Sequence, residues 1–210
     1  MANRKKSKGP SKAERLATER RRAQRRNLAV GLTVAALAAV VAALVFIGGS
    51  GPSTASKPGE VSITLAQGHQ LSPGESVPAF SAPALHGGTF DWTSVRGKPT
   101  VLAVWAPWCP HCQKELPILS EAVARHSGVQ MVSVATSIDQ APGPSVDGYM
   151  SDHHLTFPVG IDDASNTLGR GLGVSGFPTV YYVASDGTVM KTTVGEVAPS
   201  ELDQILSMLG

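Results

Sequence analysis

The chain has 210 residues, enough for one ordinary domain plus extra segments. Its net charge of +2 conceals a split: residues 1–27 carry eleven Lys/Arg and two Glu, and the remainder is acidic. The only two cysteines are Cys109 and Cys112. That count excludes a small scaffold stapled by several disulfides, and a four-ligand structural zinc site would want a second such pair.

The basic head, with Arg20, Arg21, Arg22, Arg25 and Arg26 crowded at its end, has helical propensity. Nucleic-acid binding is one reading of such a run. However, it stops directly before residues 28–47, a charge-free stretch rich in Leu, Val and Ala. About 20 residues at ~1.5 Å each span a bilayer core. The spacing therefore predicts a transmembrane signal-anchor, with the head cytoplasmic and the C-terminal part exported. A cleaved signal peptide would have a shorter apolar region and a small-residue cleavage site, for which Thr54-Ala55-Ser56 is a poor match. No cysteine follows the span directly, so a lipidated cysteine anchor is excluded. Residues 48–76 read as a linker, with a Gly/Ser/Pro-rich start, a strand at 61–66 and a loop at 69–75. The folded domain, 77–210, is expected to begin near Val77.

Beyond that point strands and helices alternate. Residues 100–106 form a continuous apolar run of buried-strand length. Residues 109–126 are expected to be helical, with Leu116, Leu119 and Val123 on one face, and 129–136 form a second buried strand. A Pro/Gly loop follows at 137–144. A short helix is expected at 146–154, a strand at 157–161 and another helix at 166–172. Strands at 178–184 and 188–194 are joined through Ser185-Asp186-Gly187, a hairpin signal. Pro199-Ser200-Glu201 opens a last helix, 201–209. This order implies an α/β domain with a mixed sheet.

The chemistry centres on Cys109-Pro110-His111-Cys112. Cys109 falls at the start of a helix, where free amides and the helix dipole favour an anion, and the thiolate is the nucleophile. Pro110 fits the first helical position, since its missing N–H has no helical partner in any case. His111 can add positive charge beside the sulfur. Cys112, one turn on and more shielded, is the natural resolving thiol.

The run Trp105-Ala106-Pro107-Trp108-Cys109-Pro110-His111-Cys112-Gln113-Lys114-Glu115-Leu116-Pro117 resembles the signature of the TlpA/ResA family of membrane-anchored thioredoxin-like thiol–disulfide oxidoreductases. The resemblance extends upstream to Val77-Pro78-Ala79-Phe80 and Arg96-Gly97-Lys98-Pro99. Downstream it takes in Val174-Ser175-Gly176-Phe177-Pro178-Thr179 and Asp186-Gly187. It implies a thioredoxin-like fold, with a central mixed sheet flanked by helices. It further implies that Pro178 is a cis-proline beside the disulfide and that the Phe177 backbone pairs with an extended substrate. Trp108 and Pro110 complete the substrate-binding set. Glu115 matches the acid that tunes the thiols and shares a helix face with Cys112; Pro117 matches a helix kink. The Pro-His dipeptide is that of the oxidising DsbA family. Ala103 stands where cytoplasmic thioredoxins keep a buried Asp, which leaves Glu115 as the candidate for proton transfer.

Asp152-His153-His154 has the look of a metal cluster, but no further ligand is placed by spacing, and a polar helix end is preferred. The cysteine spacing is one residue short of the copper-chaperone pattern, and Ala106 stands where peroxiredoxins need Thr or Ser. The expected activity is dithiol–disulfide exchange with exported proteins through Cys109, Cys112, His111 and Glu115. It needs no cofactor, metal or nucleic acid, leans oxidising, and is served by a membrane-bound redox partner. The alternative is a binding module that holds a reduced cysteine-containing client, such as apocytochrome c, without turnover.

Overall fold

The apolar run at 100–106 forms the centre of the sheet. In the computed structural model, which describes residues 59–64 and 68–209, the strand Thr100–Trp105 (β4) is buried at every position. It pairs in parallel with Gln130–Ala135 (β5) and antiparallel with Thr179–Val183 (β7). Val159–Ile161 (β6) adds to β5 in parallel, and Val189–Val194 (β8) closes the hairpin on β7. The sheet order is β6-β5-β4-β7-β8, of mixed direction. Gly187, at φ +93°, supplies the left-handed turn residue between β7 and β8.

Side chains alternate across a strand, so β4 feeds two cores. Val101, Ala103 and Trp105 face the helix Pro110–Arg125 (α1), the helix Val146–Asp152 (α2) and the C-terminal helix Pro199–Ser207 (α4). Leu102 and Val104 face the short helix Thr167–Gly171 (α3) and a second sheet. Leu116 and Leu119 of α1 are fully buried against the first face. Truncating either to Ala removes about 2–5 kcal/mol.

The second sheet is a three-stranded antiparallel one that the sequence patterning does not announce: Ser62–Ile63 (β1), Phe80–Pro83 (β2) and Thr89–Asp91 (β3). The packed chain accordingly begins before Val77. Ser62 and Ile63 pair with Ser81 and Phe80, and Leu71, within the expected loop, is 1% exposed. Of the strand expected at 61–66, β1 comprises two residues. The basic segment at 1–27, the span at 28–47 and linker residues 48–58 lie outside the described residues. Among the described residues no helix is long and apolar enough to cross a membrane.

Candidate active site

Strand β4 ends at Trp105, and a short turn delivers Cys109 to the N-cap of α1. Its backbone is extended (φ −79°, ψ 117°), and its Sγ accepts the Cys112 backbone N–H at 3.4 Å. The sulfur thus does what a capping hydroxyl or carboxylate usually does, satisfying one of the helix's free amides. Pro110 occupies the first helical position, which needs no donor. Both cysteines are free thiols; Cys109 is 5% exposed and Cys112 fully buried. Burial above all, and then its hydrogen bond with the Cys109 side chain, pushes the Cys112 thiol far above the ordinary range. Cys112 is therefore a poor thiolate and needs a proton whenever it leaves a disulfide.

Across from Cys109 runs the loop before β7. The Phe177–Pro178 peptide is cis, and the Cys109 thiol lies 3.8 Å from the Phe177 carbonyl oxygen. Trp108 sets its ring edge against Phe177, with centroids 5.9 Å apart and planes at 87°. Its indole N–H donates to the Ser137 carbonyl at 2.6 Å, which fixes the ring beside the cysteine. Trp108, Cys109, Phe177 and Pro178 are thus brought together; Pro110 and His111 stand exposed at the rim.

Glu115 is not a solvated helix residue: it is 1% exposed, and its Oε1 has no hydrogen-bond partner. Burial is the main cause that raises its carboxyl above the usual range. The Val197 backbone N–H acts against this, and the nearby negative Glu196 adds to it. Ala103 lines the same core as Cys112, so no buried acid from β4 shares the Glu115 role. Pro117 sits within α1.

Three consecutive residues that sequence reasoning did not single out complete the site. The Gly195 N–H donates to the Pro178 carbonyl at 2.8 Å. Glu196 meets His111, Oε1 to Nδ1 at 2.7 Å, and Val197 supplies the amide to Glu115. No spacing rule reaches from position 111 to 196, so no sequence signal marks them. Asp152, His153 and His154 lie exposed at the end of α2, with the His153 ring against Tyr149 at 4.5 Å.

A mixed sheet with a free cysteine pair at a helix N-cap, facing a cis-proline loop, defines a thioredoxin-fold thiol–disulfide oxidoreductase. The comparisons with known proteins agree, and they place the chain: it belongs to the Redoxin family, whose sequence pattern matches residues 72–206. The thiol-disulfide oxidoreductase ResA of Bacillus thuringiensis (strain Al Hakam) is 28% identical over 156 residues, covering 72% of this chain and 89% of that protein. The crystal structure of a secreted Mycobacterium tuberculosis disulfide oxidoreductase, homologous to E. coli DsbE, superposes with a TM-score of 0.52 at 32% identity. The match covers 62% of this chain and 96% of that one. DsbF of M. tuberculosis, solved in mixed oxidised and reduced forms, gives 0.55 at 31% identity, over 62% and 95%. The chain is a TlpA/ResA-like enzyme that exchanges disulfides with cysteine-containing protein substrates.

Proposed function

We propose that this enzyme works outside the cytoplasm, held by residues 28–47, and forms disulfides in exported proteins. The observation that carries the mechanism is the position of Cys109: at the α1 N-cap, with its sulfur 3.8 Å from the Phe177 carbonyl oxygen. A substrate thiolate attacks the Cys109 sulfur of the Cys109–Cys112 disulfide. The S–S bond breaks, its electron pair leaves on Cys112, and Cys112 takes a proton. The second substrate thiol, after losing its proton, attacks the substrate sulfur of the mixed disulfide and releases Cys109 as the thiolate. One protein disulfide and two substrate thiols become two protein thiols and one substrate disulfide; reduction runs the same steps backwards. Glu115 supplies the proton to Cys112, because both lie one turn apart on the buried face of α1 and burial lets the carboxyl hold a proton. Trp108, Pro110, Phe177 and Pro178 line the approach of the extended substrate.

Direction follows from opposed charges near Cys109. The helix N-terminus and His111 favour the thiolate, and a stabilised reduced form makes an oxidant. Glu196 draws on the charge of His111, which moderates that effect. A Glu115 with a raised carboxyl repels the thiolate less than an ordinary carboxylate does. The balance leans to a moderate oxidant, recharged by a membrane-bound redox partner. The equilibrium potential of the pair against glutathione tests this. A value near or above about −180 mV supports disulfide formation, and one near about −270 mV makes the enzyme a reductase.

A further inference from the structure

Residues 195 and 196 fasten two parts of the site, the cis-proline loop through Gly195 and His111 through Glu196, and the Val197 amide acts on the Glu115 carboxyl. The backbone just before Glu196 is therefore pinned to the cis-proline loop, and the Glu196 carboxylate meets α1 at His111 and Lys114. Oε1 lies 2.7 Å from Nδ1 of His111 and 3.7 Å from Nζ of Lys114. The hydrogen bond from His111, then the charge of Lys114, hold this carboxyl below the usual range, so it is ionised. An exposed ion pair adds little to stability, so its value must be sought elsewhere. A carboxylate bonded to Nδ1 fixes which imidazole nitrogen is spoken for and how the ring is turned. The His111 side chain is 65% exposed, and among the described residues its Nε2 has no partner. That nitrogen is open at the rim where a substrate approaches Cys109.

We propose that Glu196 is a positioning residue for thiol–disulfide exchange: by engaging Nδ1 of the neutral His111 imidazole it leaves Nε2 to accept the proton of the incoming substrate thiol and to pass it on to water, while Cys112 takes its proton from Glu115. The inference rests on the reading of Cys109 as the exchanging thiol. The step balances: the substrate S–H bond breaks, its proton passes to Nε2, and the sulfur keeps the electron pair with which it attacks the Cys109–Cys112 disulfide. No further oxidant is consumed. Histidine is the side chain suited to carry a proton near neutral pH. Lys114 cannot stand in for it, because its ammonium only donates.

The test uses the full-length chain in detergent, oxidised, mixed with a reduced two-cysteine peptide, with the rate read by alkylation and mass spectrometry. E196Q keeps the shape and loses the charge; it should exchange about tenfold more slowly, a loss at the low end for general acid–base catalysis. E196D should recover most of the rate. The equilibrium constant with glutathione should move far less than the rate, by less than about threefold, since the exposed Glu196–His111 pair has only a small charge effect on the end states. His111→Ala should be slow too, and adding E196Q to it should cost nothing more. A wild-type rate in E196Q, or a full further loss in the His111→Ala background, overturns the proposal. If oxidised wild type itself fails to exchange and keeps its disulfide in the presence of the reduced peptide, the exchange reading falls and the proposal falls with it.

Discussion

The Tyr149 hydroxyl donates to the Gln113 backbone carbonyl at 3.1 Å. That carbonyl is the one left without a helical donor by Pro117, which has no N–H. The same hydroxyl lies 3.4 Å from the Cys112 carbonyl. A side chain of α2 thus completes the hydrogen bonding of the redox helix just behind its second cysteine. Tyr149→Phe keeps the ring packed on Trp105, with centroids 5.0 Å apart, and removes only the donor. It should lower stability by about 1–2 kcal/mol. Urea denaturation of the reduced protein gives the value, and an unchanged midpoint would show that the bond contributes nothing.

Glu115→Gln separates burial from charge. The folded-state carboxyl titrates above its unfolded value, so between those two values the folded chain binds more protons than the unfolded one. Stability then falls as pH rises through that window. The glutamine variant has no such loss. Its stability relative to wild type should increase as pH rises from the ordinary carboxylate range, about 4, through the higher range in which the buried carboxyl loses its proton, a comparison read from urea midpoints. The Cys112 thiol, also raised, titrates at alkaline pH in both proteins and does not disturb it. The variant should also shift the alkylation-versus-pH curve of the thiols. A stability difference that is flat with pH, together with unchanged alkylation, would remove Glu115 from the proton path.

Gly173 sits at φ +70°, against the His69 backbone carbonyl, where an added Cβ would collide with main-chain atoms that cannot swing away. Gly173→Ala combines overpacking with left-handed strain and should cost roughly 2–4 kcal/mol. Thermal unfolding would register it as a drop of several degrees. A neutral effect would mean that the 69–75 segment does not pack where the structure has it.

The contrast between the two sheets explains what the sequence made legible. Strands β4, β5 and β7 are five or six residues long and buried on both faces, so they stand out as apolar runs. In β2, four residues end in Pro83, and β3 buries only Phe90 of its three residues. Neither is long enough to show a period. In the site, Cys109 and Cys112 were found by spacing, and Glu115, Phe177 and Pro178 came with the family motif. The burial of Glu115 was not legible, since a helix glutamate looks the same on either face. Glu196 and the Ser137 carbonyl were invisible, because their roles depend on chain segments that only the fold brings to His111 and Trp108.

The anchor is tested from outside the cell. With residues 1–27 cytoplasmic and 28–47 uncleaved, protease added to intact cells should digest the domain and leave the head protected. Intact mass of the untreated protein should match the full chain. A mature N-terminus near Lys57 would mean that the apolar segment is a cleaved signal.

Cysteine trapping in the producing cell probes the chemistry itself. Cys112→Ser leaves Cys109 able to attack and unable to be released by its neighbour, so mixed disulfides should accumulate. Their peptides, mapped by mass spectrometry, should all join Cys109 to cysteines of exported proteins, and the adducts should vanish when Cys109 is also replaced. A Cys112→Ser protein that collects no Cys109-linked partner would contradict exchange at this site and leave a module that holds its clients without turning them over.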